Sequence, residues 1–142
     1  NISTIFKKKG EEYFRCVETQ IVKEVALFDN YVISTGGGVV LREENMKALK
    51  KNAFIVCLFA SPEVIIERTR GNEDRPLLKG DDQKKRIEEL LKIRKPFYEK
   101  ANFSVDTSTL NDEEVVEEII KFLRKKVSAS SGLSLRDFRK KL

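Results

Sequence analysis

Phe14, Val17, Ile21, Val22 and Val25 recur at steps of three and four residues, which predicts an amphipathic helix turning one stripe to a core. Before it, Ser3 or Thr4 is suited to cap a turn holding Ile5 and Phe6. Gly10 breaks that turn ahead of Glu11 and Glu12, whose charges favour a helix N-terminus. Asp29 and Asn30 form a turn, and the pattern then changes. Residues 31–34 contain a short Val-Ile run, expected as a strand buried on both faces, and it leads into Gly36, Gly37 and Gly38. Helical spacing returns over 43–51 with Met46 and Leu49 inward. Residues 54–59 are apolar throughout and predict a central strand. Ser61 as cap, Pro62 at the first helical position and Glu63 in the first turn start the next helix.

The stretch 71–82 is polar, flanked by glycine and without period, the signature of a lid or binding loop, with Arg75 at its centre before Pro76. Residues 83–98 are helical again, carrying Ile87, Leu90, Leu91 and Arg94. Phe103 and Val105 alternate in a short edge-like strand over 102–106. Asn111 or Asp112 caps a last helix with Val115, Val116, Ile119, Ile120 and Leu123 as its buried stripe. Two strand-turn-helix units in succession are the rhythm of a parallel α/β sheet. After Lys126 the residues turn small and then basic. The expected organisation is one domain over 1–127, followed by a linker and basic tail over 128–142 that leads toward a possible further domain.

Composition narrows the chemistry. At 142 residues the chain suits a single core, and 40% hydrophobic with 36% charged residues reads as a globular, helix-rich protein. No apolar run approaches a membrane span, and the first residue is Asn1 rather than Met, so an earlier segment is expected. The net charge is +5, of which residues 128–142 carry +3, leaving +2 for the folded part. That near-neutral body argues against nucleic-acid binding. Cys16 and Cys57 lack metal-like spacing and read as small buried hydrophobes in a reducing cytoplasm. The absence of histidine from the sequence excludes a His-based triad and the usual zinc site, and no metal ligand is assigned.

Two features carry candidate chemistry. Three consecutive glycines strip the backbone of Cβ atoms, so a ligand can approach its N–H groups at the carboxyl end of a strand; a tight turn explains the same residues. Arg15 and Glu18, three apart, share a helix face. Spacing alone favours an ordinary surface ion pair, while the functional alternative is an arginine fork oriented by a carboxylate to grip an anion.

From Ile2 to Lys126 these residues resemble the shikimate kinase family. The resemblance rests on an IF-x3-GEEYFR-x2-E helix, the ISTGGG strand end, a LFASPE junction, an ER-x6-RPLL lid, an R-x2-FY helix and a VDT loop, all in order. It implies a three-layer α/β/α fold of the P-loop nucleoside-monophosphate-kinase type, with a five-stranded parallel sheet and a lid. The implied reaction transfers the γ-phosphoryl group of ATP, with Mg2+, to the 3-hydroxyl of shikimate in aromatic amino-acid biosynthesis. By the same resemblance Arg15 and Arg94 bind the substrate carboxylate, Glu18 orients Arg15, and Gly36, Gly37 and Gly38 meet the ring hydroxyls. Arg75 is the catalytic lid arginine, and Arg68 with Thr107 sandwiches adenine.

One departure stands out. Family members begin with a strand and a G-x4-GK[ST] phosphate loop, followed by an acidic residue, and this sequence contains no such motif. These residues are therefore expected to be the larger C-terminal part of a shikimate kinase, the N-terminal strand and P-loop being absent, and inactive by themselves. The alternative is a non-catalytic module of the same fold that binds shikimate or a partner protein. A third reading is a relative acting on another small anionic, hydroxylated metabolite.

Overall fold

In the computed structural model, residues 1–70 and 82–129 are described, and helix α1 opens the chain at Ile2–Val25. Asn1 caps it, its side chain accepting from the Ser3 N–H at 2.8 Å. The cap thus precedes the Ser3 or Thr4 expected, because asparagine is itself a strong cap and the helix begins at the next residue. Gly10 interrupts α1 with φ 82° and ψ 171°, a backbone region open essentially to glycine alone. Beyond this break the buried line is Arg15, Thr19, Val22 and Ala26. It only partly coincides with the expected apolar stripe: Ile21 is 51% exposed, and Phe14, Val17 and Val25 are half-buried. The face is turned because a guanidinium satisfied by carboxylates of its own helix can occupy an inward position.

Residues 31–34 do not form the expected strand. A strand exists through its neighbour's hydrogen bonds, and among the described residues no segment pairs with this one; Tyr31 and Val32 stay exposed. The glycines pass into a short 3-10 helix, Val39–Leu41. Its turns are closed by the Val39 N–H donating to the Gly36 carbonyl and the Leu41 N–H to that of Gly38, both at 3.1 Å. Helix α2, Glu43–Lys50, places Met46 and Leu49 inward as expected. They form the core with Val22, Ala26, Val39 and Val40. Asn45 is fully buried, and its Nδ2 donates to the Val39 carbonyl at 3.1 Å, tying α2 to the residues after the glycines.

Strands β1, Val56–Phe59, and β2, Phe103–Asp106, pair in parallel, with Val56 opposite Phe103 and Phe59 opposite Asp106. The parallel α/β arrangement stands, although the described residues hold two strands rather than the five implied. Nor is β1 central among them. Only β2 pairs with it, which leaves Leu58 57% exposed and Phe59 exposed as well. Val105 is buried, as the alternation in β2 predicts.

Helix α3, Pro62–Thr69, is capped by Ser61 accepting from the Val64 N–H. Helix α4, Gln83–Tyr98, is capped by Asp82 and buries Ile87. Helix α5, Asp112–Ala129, begins in a capping box. Asn111 Oδ1 accepts from the Glu114 N–H at 2.9 Å while Glu114 Oε2 accepts from the Asn111 N–H at 2.8 Å. Phe122 stacks on Phe103 with ring centroids 4.3 Å apart, docking α5 on β2. Val115 is buried, but Val116 and Ile120 are exposed, so the inward stripe is narrower than expected. The helix runs three residues past Lys126, and the tail from residue 130 lies outside the described residues, as does the 71–81 part of the lid segment. Cys16 is exposed, contrary to expectation, because its position on α1 lies beside the inward line rather than on it. Cys57 is half-buried, and burial pushes its thiol up. Among the described residues no helix is long and apolar enough to cross a membrane.

Candidate active site

Gly38 has no side chain where Arg15 approaches. A Cβ built there would lie 2.5 Å from Nη1, 2.6 Å from Nη2 and 2.8 Å from Cζ of Arg15. At Gly37 a Cβ would lie 2.9 Å from Tyr98 Oη and 3.7 Å from Arg94 Nη1. Gly36 faces open space. The glycine segment is thus the floor on which an arginine from α1 and an arginine from α4 converge. Helix geometry accounts for the second pairing, since Arg94 and Tyr98 stand four apart and share one face of α4.

The two arginines are held in opposite ways. Arg15 is buried, and its fork is engaged along both edges. Nε and Nη2 donate to Glu11 Oε1 at 3.3 and 3.0 Å, and Nη1 donates to Glu18 Oε2 at 2.8 Å. The Phe14 ring centroid lies 5.1 Å from its Cζ, within cation–π range. The bond to Glu18 is the one that the three-residue step on a shared helix face predicts. Glu11 was not singled out, although its i,i+4 spacing to Arg15 is visible in GEEYFR. Arg94 is half-buried and has no hydrogen-bond or ion-pair partner among the described residues. The N–H groups of Gly37 and Gly38 likewise lack a partner there. An unpaired, partly desolvated guanidinium beside free backbone donors suits an anion that also carries hydroxyls.

Tyr98 is a second residue that sequence reasoning passed over. Its hydroxyl donates to the Gly37 carbonyl at 2.9 Å. The available signal was its place at the end of R-x2-FY, one turn beyond Arg94.

A separate cluster lies at the carboxyl ends of the strands. Arg68 on α3 donates through Nη1 to Thr107 Oγ1 at 2.8 Å and through Nη2 to the Thr107 carbonyl at 2.7 Å. Thr107 Oγ1 in turn donates to the Phe59 carbonyl at 3.1 Å. These bonds engage the edge of the guanidinium and tie α3 to the residue after β2. The neighbouring Asp106 carboxyl accepts from the Ser108 hydroxyl and N–H, which hold it below the usual carboxylate range. The structure therefore joins Arg68 with Thr107, and places Arg15 at Gly38 and Arg94 at the adjacent Gly37. Arg75 lies outside the described residues. Among the described residues no three acidic or thiol side chains group as a metal site.

A family model described as shikimate kinase matches residues 1–124. The shikimate kinase of Thermodesulfovibrio yellowstonii is 52% identical over 120 residues, covering 84% of this chain and 69% of that one. That of Thermoanaerobacter pseudethanolicus is 46% identical over 120 residues, covering 84% and 70%. Among solved structures, shikimate kinase from Acinetobacter baumannii in complex with shikimate is similar with a TM-score of 0.85 and 30% identity, over 89% of this chain and 71% of that one. The Aquifex aeolicus shikimate kinase structure matches with a TM-score of 0.70 and 36% identity, over 93% and 74%.

Proposed function

This chain belongs to the shikimate kinase family of phosphotransferases, and on that premise we propose that Arg15, Arg94 and the Gly36, Gly37, Gly38 backbone form its shikimate site. The observation that carries the reading is the half-buried guanidinium of Arg94, without a partner among the described residues, lying at Gly37 while the buried Arg15 lies at the adjacent Gly38. The substrate carboxylate lies between the two forks, a geometry that arginine recognises bidentately and lysine does not. Glu11 and Glu18 hold the Arg15 plane in register, and the free glycine N–H groups donate to ring hydroxyls.

In the reaction proposed, the shikimate 3-hydroxyl oxygen bonds to the γ-phosphorus of ATP, the bond to the β-γ bridging oxygen breaks, and ADP leaves as the hydroxyl loses its proton. Such transfers depend on positioning and on positive charge around the moving group. Arg68, clamped by Thr107, supports an adenine-stacking surface, and Arg75 supplies charge at the phosphates. The described residues offer no acidic cluster fitted to Mg2+, and the sequence contains no G-x4-GK[ST] loop, so no step is assigned through the metal and the phosphate cradle is assigned to none of these residues.

Calorimetric titration of the purified protein with shikimate tests the site. Arg94→Ala is expected to weaken binding by roughly 30-fold or more, the loss of a charge-assisted pair, and Arg94→Lys restores only a small part of it. Equal affinity of the wild-type protein and Arg94→Ala would overturn the reading.

A further inference from the structure

We propose that Tyr98 is a positioning residue for the shikimate site: by holding the Gly37 carbonyl, its hydroxyl fixes the direction in which the Gly38 N–H donates to the substrate. The inference rests on the site reading above and deepens it. A trans peptide group is planar, with its C=O and the following N–H pointing to opposite sides. The bond from Tyr98 Oη to the Gly37 oxygen, at 2.9 Å, turns that carbonyl toward α4. The Gly38 N–H, which belongs to the same peptide group and has no partner among the described residues, is thereby turned away from α4.

Glycine needs such an anchor more than other residues do, because without Cβ its peptide planes have the widest freedom to rotate. The hydrogen bonds of the 3-10 helix use the carbonyls of Gly36 and Gly38 and leave that of Gly37 to Tyr98. The anchor itself is packed in place. Tyr98 and its neighbour Phe97 pack against the core built on Val22, Val39, Val40 and Met46. Arg94 is on the same helix face, with its Nη1 3.7 Å from the Cβ position of Gly37. One helix face therefore sets both the guanidinium and the peptide donor, so their spacing does not depend on the loop alone. Preorganisation of this kind acts on substrate binding by removing an ordering cost.

The test is Tyr98→Phe in the full-length enzyme, which keeps the ring and its packing and deletes one oxygen. The KM for shikimate is expected to rise roughly 3- to 10-fold, the equivalent of one neutral hydrogen bond. The KM for ATP and the melting temperature stay at their wild-type values. An unchanged shikimate KM overturns the proposal, and so does a parallel rise in both KM values with a fall in melting temperature, which would mark Tyr98 as a packing residue only. If the unmutated enzyme does not bind shikimate, the site reading itself falls, whereas binding that is indifferent to Tyr98→Phe removes this inference alone.

Discussion

Gly38 is defined by what it leaves out. The space its side chain would fill holds the Arg15 guanidinium, and Glu11 and Glu18 grip that guanidinium along both edges, so it cannot yield without breaking an ion pair. Gly38→Ala is therefore expected to raise the shikimate KM at least roughly tenfold with the far-ultraviolet circular dichroism unchanged, whereas Gly36→Ala, which meets open space, changes it less than about threefold. Steady-state kinetics on the two variants decides the matter, and equal effects would refute the close approach of Arg15. At this scale the sequence was legible where contacts are local: the three-residue step from Arg15 to Glu18 reads directly as a shared helix face. Tyr98 was not, because its bond to Gly37 spans 61 positions and depends on how α4 lies against the glycines.

Elements followed their punctuation. Ser61-Pro62-Glu63 opened α3, and the Asn111–Glu114 box opened α5, because a cap is a hydrogen bond between near neighbours and needs no tertiary partner. The 31–34 segment shows the converse. A Val-Ile run carries the preference for a strand, but the strand itself is a pairing, and no described segment supplies one. The inward face of α1 departs from its apolar stripe for a related reason, since hydropathy does not identify an arginine whose charge is met by its own helix. Gly10 is the element-scale test. Its φ of 82° and ψ of 171° belong to glycine, and a Cβ there would meet nothing within 4 Å, so Gly10→Ala carries a backbone cost without a steric one. Denaturant unfolding is expected to show a loss of about 1–3 kcal/mol; an unchanged midpoint would mean that α1 runs through position 10 without the break.

Over the whole molecule, the parallel pairing of β1 with β2, α5 packed on β2, and the packing of α1 on α2 and of α3 on α4 are the architecture that the alternation of strand and helix signals announced. The number of strands and the placing of β1 within the sheet were not legible, since both are properties of neighbours rather than of the run 54–59 itself. One feature of the site has a bearing on how fast it fills. Arg15 with Glu11 and Glu18 forms a group of net negative charge, and Arg94, without a partner among the described residues, offsets it, so the four charges sum to zero. These four groups give a carboxylate arriving from solution no net pull; the attraction becomes strong only once it is desolvated between the forks. Shikimate should then associate at a rate that changes less than about twofold between roughly 0.05 and 0.3 M salt in stopped-flow experiments, whereas a steep decline would reveal a positive field from elsewhere. Affinity gained after contact rather than before it would show as slow release, leaving the substrate held in place while the nucleotide arrives.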